Sequence, residues 1–287
     1  MAALLLCTSM VLSVGRNLLS KNLSALHFGE QAFFSRQAVL FLFGGICIAL
    51  FGGNWSCALS LQTLLYGIVY GLLLIVAQWF YTAALGGGNM ALCSTVYSLG
   101  FIIPTLSGAV FWNEPFSGFD LLGVLCAALA IVCSKAEPTG KKTRARGRYF
   151  LPLIVAMTAS GGLGIMQKLQ QRSPVADELQ AFLVIAFLLA AGLSFLSSCM
   201  VKKRAAASHP KTLWMAAGVG IAFGGCNLLN TTLAGMLPGA VLFPTLNIGV
   251  ILTTMLCGVI LLGERIGKKE ICVLALGASS ILLLTVF

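Results

Sequence analysis

Only eight acidic residues are present among the 287 of this chain, and their positions limit the chemistry available to it. Each lies in an expected loop or at the end of an apolar run, and none lies in the middle of one. A carboxylate that exchanges protons for cations would have to lie inside such a run, where an ionisable group is costly and usually functional. The pattern therefore disfavours proton/cation exchange. The eight are Glu30, Glu114, Asp120, Glu137, Asp177, Glu178, Glu264 and Glu270.

Arg16 is the one charged residue well inside an apolar run. It lies ~21 Å along a helix from Ala2, at ~1.5 Å per residue. Two interpretations remain open: its side chain snorkels to the nearer membrane surface, or its guanidinium binds a carboxylate or phosphate of a substrate through two hydrogen bonds. Asn17, beside it, is a further candidate for substrate binding. Lys168 lies nearer a helix end, and we expect it to snorkel.

Neutral polar side chains recur inside four of the apolar runs. They either line a shared chamber or hydrogen-bond between helices, which stabilises by about 0.6 kcal/mol per contact on average. For the set as a whole we predict a chamber lining. The candidates are Gln78, Tyr81, Tyr97, Ser98, Asn227, Asn230, Thr245 and Asn247.

The motifs of intramembrane enzymes and metal sites are missing from the sequence. There is no H-E-x-x-H, no G-x-S-x-G and no C-x-x-C pattern, and His27 and His209 both fall in expected loops. The ten cysteines are scattered singly, mostly inside apolar runs, which is typical of small buried side chains. We expect no catalysis, no metal, no cofactor and no disulfide framework.

Composition indicates the elements that position these residues. Hydrophobic residues make up 59% of the chain and charged residues 9%, with a mean hydropathy of +0.98. Soluble domains carry roughly a quarter charged residues, whereas runs of about twenty apolar residues suit membrane-crossing helices. We predict an all-α polytopic membrane protein of about ten transmembrane helices. The predicted spans are 2–20, 31–53, 59–84, 90–112, 118–135, 149–168, 179–201, 212–234, 239–262 and 269–287.

Basic residues orient the predicted spans. Sixteen of the eighteen Lys and Arg residues flank the connections after spans one, five, seven and nine; only Lys168 and Arg172 flank the others. Positive charge holds loops on the cytoplasmic side. We therefore expect a multi-pass protein of the cytoplasmic membrane with odd-numbered loops inside and both termini outside. The net charge of +10 then reflects loops and anionic lipid headgroups, not nucleic acid.

A shift of 150 residues superimposes the fourth span on the ninth without a gap. Glu114 then meets Glu264, Tyr97 meets Asn247, and Tyr81 meets Thr231. We predict two five-helix repeats, 2–135 and 149–287, joined by a basic cytoplasmic linker at 136–148. Because five is odd, the second repeat enters the membrane from the opposite side, an inverted arrangement associated with alternating access in transporters.

Segments 83–132 and 232–283 each resemble the carboxyl half of an EamA repeat, of the drug/metabolite transporter superfamily. Both carry a small-residue turn, a polar-studded helix, a Gly-Glu-like helix end and a final small-residue helix. "VGRNLLSK" (14–21) is similar to the family's opening Trp-Gly-x-Asn…Lys motif, with Val14 in place of the tryptophan and an unusual Arg16. "FFSRQAVLFL" resembles its second-helix signature through Arg36. The resemblance implies ten helices, a central cavity and a small-molecule substrate.

Glu114, Glu264 and Arg265 lie at predicted helix ends. Either carboxylate can cap the helix that follows it and favour that helix's positive dipole end. The alternative is a gating ion pair of Glu264 with Arg265 or with a nearby lysine. The small-residue faces "GIVYG" (67–71) and "GIAFG" (220–224) predict close helix packing. Pro104 and Pro244 predict bends or hinges in spans four and nine.

Two functional hypotheses follow. The first is a secondary transporter that moves a small polar metabolite by alternating access, exporting or exchanging neutral, zwitterionic or anionic solutes such as amino acids. The second is a membrane receptor or partner-binding scaffold that retains the transporter fold. Among transporters, antiport of cationic drugs against protons is disfavoured by the acid pattern described above.

Overall fold

The computed structural model describes residues 1–24, 30–53, 59–87, 96–135, 150–201, 210–262 and 268–286. These ranges hold the ten α-helices given below, a further helical segment at 96–98, two 3-10 turns at Leu99–Phe101 and Ala176–Glu178, and no strand. The all-α prediction is confirmed, and most helix limits fall within three residues of the predicted spans. The helices are α1 (Ala2–Ser24), α2 (Glu30–Phe51), α3 (Leu61–Gly87), α4 (Ile102–Trp112), α5 (Gly118–Lys135), α6 (Phe150–Gln171), α7 (Leu179–Met200), α8 (Pro210–Met236), α9 (Gly239–Leu262) and α10 (Lys268–Val286).

Within the fourth predicted span, the described helix tightens from α-helical to 3-10 geometry and back. A 3-10 turn at Leu99–Phe101 precedes α4, close to Pro104. Proline has no N–H to donate and its ring clashes with the carbonyl four residues earlier, which here belongs to Gly100. Thr105 Oγ1 donates to the Phe101 carbonyl at 2.8 Å and so satisfies a neighbouring acceptor. Pro244, by contrast, lies inside α9 without a break in the assigned helix.

Contacts divide the chain into two compact units that cut across the two sequence repeats. The first unit comprises residues 1–75 and 166–235, and the second comprises 76–165 and 236–287. The first therefore holds α1, α2, α7 and α8 with the start of α3 and the end of α6. The second holds α4, α5, α9 and α10 with the remaining parts of α3 and α6. Each unit combines helices from both predicted repeats.

In the first unit, α2 packs antiparallel to α7. The Ser35 and Ser198 hydroxyls lie 2.7 Å apart near one end of the pair. Near the other end, Gln180 Nε2 donates to the Ala49 carbonyl at 2.8 Å. Between them, the Phe41 and Phe187 rings meet edge to face with centroids 6.0 Å apart. Hydrogen bonds at both ends and an aromatic contact in the middle fix the register of this pair.

The two small-residue faces bring helix backbones close together in the first unit. A Cβ added at Gly71 of α3 would lie 2.7 Å from the Ala186 carbonyl oxygen of α7. One added at Gly224 of α8 would lie 2.8 Å from Gly44 Cα of α2. Since real Cβ atoms are not found so close to backbone, only glycine permits these approaches. The predicted role of both faces in close packing is confirmed.

In the second unit, α5 packs against α10, and α6 packs against the start of α4. Ser280 Oγ donates to the Gly123 carbonyl at 2.8 Å and joins α10 to α5. A Cβ at Gly161 would lie 2.7 Å from the Ile103 side chain, and one at Gly164 would lie 2.7 Å from Pro104. Glycines of α6 thus make room for the bulky residues beside the 3-10 turn of span four.

Long apolar helices with exposed hydrophobic faces agree with the predicted membrane class. Four segments among the described residues are long and apolar enough to cross a membrane: Ala32–Phe51, Leu61–Tyr81, Ala176–Met200 and Thr212–Met236. On α5, large apolar side chains are exposed along one stripe instead of being buried. A water-facing helix normally carries charges there. The stripe consists of Leu121, Leu122, Leu125, Leu129 and Val132.

Candidate functional site

Polar contacts join α1 to α8 in the first unit. Ser9 Oγ donates to Asn230 Oδ1 at 2.6 Å. One turn further along α1, the Ser13 hydroxyl and the Cys226 thiol lie 3.2 Å apart. Residue numbers rise along α1 as they fall along α8, so the two helices run antiparallel. The spacing of 9, 13 and 16 places Arg16 next on the same helical stripe.

Arg16 points toward α8. Its guanidinium carbon lies 5.2 Å from the centroid of the Phe223 ring, and Nη2 donates a long hydrogen bond to Asn17 Oδ1 at 3.4 Å. A cation–π contact contributes about 0.5–2 kcal/mol, whereas an arginine at the centre of a membrane helix costs about 2.5–3.5 kcal/mol on insertion scales. The contact offsets only part of that cost. Asn17 itself is exposed.

A buried triad of Tyr70, Gln167 and Asn227 joins α3, α6 and α8. The Tyr70 hydroxyl donates to Asn227 Oδ1 at 2.6 Å and accepts from Gln167 Nε2 at 2.8 Å. Asn227 Nδ2 donates to the Phe223 carbonyl at 2.8 Å. The three side chains satisfy one another, as buried polar groups generally do. Asn227, a predicted lining residue, therefore takes part in bonds between helices.

Fully buried neighbours surround this triad. Thr231 donates to the Asn227 carbonyl at 2.7 Å, and the Tyr70 ring meets Phe182 edge to face at 5.0 Å. Lys168, next to Gln167 along α6, is also completely buried. The expectation that Lys168 snorkels is therefore wrong, because a snorkelling lysine keeps its ammonium group exposed. Its position near the helix end did not reveal which way the side chain turns.

The second unit holds the other predicted lining residues. The Tyr81 and Tyr97 rings lie 4.6 Å apart, tilted by 42°. Asn247 Nδ2 donates to the Phe243 carbonyl of its own helix at 2.9 Å. Thr245 is 6% exposed, and its hydroxyl has no hydrogen-bond partner among the described residues. Gln78 and Ser98 are part-exposed. Among these six, the two tyrosines contact each other.

Carboxylates occupy helix starts. Glu114 Oε2 accepts from the Gly239 N–H at 2.8 Å, at the first residue of α9. The helix that follows Glu114 in sequence, α5, is capped instead by Ser117 and Asp120. The Ser117 N–H donates to Asp120 Oδ2 at 2.6 Å, and the Asp120 N–H donates to Ser117 Oγ at 3.2 Å. The cap expected on α5 thus acts on α9. Glu264 and Arg265 lie outside the described residues.

Glu178 likewise accepts hydrogen bonds at the start of a distant helix, in this case α3 of the first unit. Its Oε2 accepts from the Ser60 backbone N–H at 3.1 Å and from the Ser60 hydroxyl at 2.9 Å. Ser60 Oγ in turn accepts from the Thr63 N–H at 3.1 Å and caps α3. Two of the eight acids therefore cap helices that are distant in sequence.

Sequence reasoning missed Ser9, Tyr70, Gln167 and the role of Glu178. Tyr70 stands inside the small-residue motif "GIVYG", and Gln167 stands beside a charged residue, so neither stood out as a polar residue within an apolar run. Their partners lie 97 and 157 residues away along the chain. One signal could have indicated the contact with α8: Ser9 and Ser13 are polar residues four positions apart, so they share one face of α1.

Comparison with known proteins supports the fold. No protein-family profile matches the chain, and no curated protein matches it. A solved structure described only as "Crystal structure of protein" is similar over 99% of this chain and 96% of its own, with a TM-score of 0.79 and 19% sequence identity. At that identity the likeness shows a shared fold alone.

Proposed function

We propose that the chain is a secondary transporter that moves a small polar metabolite across the cytoplasmic membrane by alternating access. In this proposal ten helices cross the membrane as two inverted five-helix repeats of the EamA type, with odd-numbered loops in the cytoplasm and both termini outside. The protein needs no catalytic group, metal or cofactor. Its partners are the solute and membrane lipids, and it is neither an enzyme nor a nucleic-acid-binding protein.

One observation supports the proposal most strongly: a helix contact made by two helices of the chain is repeated by their counterparts in the duplication. The duplication pairs α2 with α7 and α3 with α8. In the first unit, α3 packs its small-residue face on α7, and α8 packs its small-residue face on α2. Exchanging the two repeats converts one contact into the other. A chain without internal duplication has no reason to repeat the contact, whereas two inverted repeats provide the symmetry on which alternating access depends.

Helix directions support the same arrangement. Residue numbers rise together in the α3–α7 and α2–α8 contacts, as at Gly67 with Ile185 and Gly71 with Ala186, so these pairs run parallel. The α1–α8 and α2–α7 pairs run antiparallel. In a chain that crosses the membrane ten times, odd helices run one way and even helices the other. The four pairs obey that rule.

The chemistry of the polar residues supports the solute class. The side chains of Glu114, Asp120, Asp177 and Glu178 all lie between helices or at helix ends, not in the middle of a helix. The groups that do lie within helices are neutral, apart from basic residues such as Arg16. We infer that the solute is neutral, zwitterionic or anionic, such as an amino acid, and that proton-coupled export of cationic drugs is disfavoured.

Uptake by purified protein in liposomes tests the proposal, with a broad panel of amino acids, organic acids and sugars. Tyr97→Ala and Asn247→Ala are expected to lower transport without lowering membrane insertion. Tyr66→Ala is the matched control, since the Tyr66 hydroxyl accepts from Gln62 Nε2 of the same helix at 2.7 Å and bonds to no other helix among the described residues. Normal transport in both variants would remove the two residues from the site. Failure of the wild type to move any solute, while a protein partner binds it, would favour the receptor or scaffold alternative.

A further inference from the structure

We propose that Arg16 is the group that binds an anionic cargo, and that the cargo carries a carboxylate. This inference rests on the proposed transport function and narrows its solute class. Two observations support it. The Arg16 guanidinium, which belongs to a residue in the interior of α1, lies over the buried Phe223 ring of α8. It also has no acidic partner among the described residues.

The direction of the side chain distinguishes binding from snorkelling. A snorkelling arginine lies along its own helix toward the water–lipid boundary. The Arg16 guanidinium instead lies 5.2 Å from the ring centroid of Phe223, which is 8% exposed. That ring is packed in turn against Phe187, with centroids 5.6 Å apart. The packed rings of Phe223 and Phe187 therefore form a fixed apolar surface against one side of the guanidinium.

No carboxylate compensates the charge in the described part of the chain. Glu114 is bonded to Gly239, Asp120 to Ser117, and Glu178 to Ser60. The guanidinium itself donates one long hydrogen bond, to the side chain of Asn17. Its remaining N–H groups have no acceptor among the described residues. A planar fork of free N–H donors matches the two oxygens of a carboxylate.

The described polar neighbours of Arg16 suit an anion, and none of them is a carboxylate that would hold a cation. Along the contact of α1 with α8 these neighbours are the Ser9 and Ser13 hydroxyls, the Cys226 thiol and the Asn230 amide. All of these are uncharged side chains at neutral pH. An ammonium group would meet the positive guanidinium without a compensating carboxylate. The Arg16 guanidinium therefore selects anionic over cationic solutes by charge, whatever their size.

Carboxylates paired with their neutral amides of the same size test the inference. Purified protein in a non-ionic detergent is titrated with acetate and acetamide, benzoate and benzamide, and N-acetylalanine and its amide, and thermal unfolding reports binding. We expect at least one carboxylate to bind the wild type about 10- to 100-fold more tightly than its amide. Arg16→Gln should abolish that preference, and Arg16→Lys should retain part of it. Each variant is compared with its own ligand-free protein.

Arg36→Gln is the matched control. Arg36 is also an arginine within a helix, but its Nε donates to the Ala32 carbonyl of its own helix at 3.1 Å. It should keep the full preference for carboxylate over amide. The inference is overturned if no carboxylate binds the wild type better than its amide, or if Arg16→Gln keeps the preference. It is also overturned if only the anionic lipid phosphatidylglycerol stabilises the protein through Arg16.

Uptake into vesicles of neutral lipid separates this inference from the transport proposal. Transport of neutral solutes equally by the wild type and Arg16→Gln, with no carboxylate preference, would overturn the role of Arg16 and leave transport standing. Carboxylate binding that depends on Arg16, with no uptake of any solute, would support the binding site and contradict transport. Uptake of the bound carboxylate by the wild type and Arg36→Gln, but not by Arg16→Gln, supports both.

Discussion

Gly224→Ala tests a close backbone contact between α8 and α2 in the first unit. A Cβ at this position would lie 2.8 Å from Gly44 Cα and 2.9 Å from the Gly44 carbonyl carbon, well inside ordinary van der Waals contact. Because the obstacle is backbone, no rotamer change can relieve it, and α8 must move away from α2. Overpacking of this kind costs about 1–3 kcal/mol. Replacing glycine by alanine inside a helix also returns about 1 kcal/mol of helix propensity.

Gly192→Ala isolates the packing effect. Gly192 lies inside α7, and an added Cβ there would meet nothing within 4 Å. Both variants gain the same helix propensity, so their difference in unfolding free energy should equal the overpacking cost of about 1–3 kcal/mol. At about 2–4 °C per kcal/mol, Gly224→Ala should melt several degrees below Gly192→Ala. The assay is thermal unfolding of purified protein in detergent.

Gly71→Ala extends this test to the equivalent contact. Its added Cβ would lie 2.7 Å from the Ala186 carbonyl oxygen, so the variant should lose stability by a similar amount. Equal melting temperatures for Gly224→Ala and Gly192→Ala would refute the reasoning, because the close approach of α8 to α2 would then not exist. Loss of stability in Gly224→Ala without loss in Gly71→Ala would contradict the equivalence of the two contacts.

Two further perturbations test hydrogen bonds between distant parts of the chain. Tyr70→Phe removes the hydroxyl that joins Gln167 to Asn227 and should destabilise by about 0.5–2 kcal/mol; thermal unfolding compared with Tyr66→Phe measures the loss, and equal melting would show that the triad contributes nothing. Glu114→Ala removes the acceptor at the start of α9 and should cost about 1 kcal/mol. Glu114→Gln keeps an acceptor oxygen and should cost less, whereas equal losses in the two variants would exclude a cap at this position.

Much of the fold is predictable because its signals are local. Each helix is an apolar run ended by glycine, proline or charge, so α5 and α9 begin and end where the predicted spans do. The exception is the 3-10 turn that precedes α4. A proline pattern predicts a bend there but not its form, since the 3-10 turn also depends on how Gly100 fits against Met157 of α6. That fit belongs to tertiary packing.

The candidate site is less predictable because it depends on distant partners. The sequence marks Asn227 as a polar group within an apolar run, but not that Tyr70 and Gln167 satisfy it. The duplicated position of Glu114 is visible from the 150-residue shift, whereas its contact with Gly239 joins residues 125 apart in sequence. Burial of Lys168 is likewise hidden, because only the fold decides whether a long side chain turns inward or toward the surface.

Labelling of single cysteines with a membrane-impermeant maleimide tests the inverted duplication most directly. In a background with the ten native cysteines replaced, single cysteines are placed at Gly140, at Val175, at Glu270 and at each chain end, and intact cells are compared with permeabilised ones. The account predicts that positions 140 and 270 react only after permeabilisation, and that position 175 and both chain ends are reached from outside. Labelling of 140 and 270 from opposite faces of the membrane, or a chain end in the cytoplasm, would contradict it.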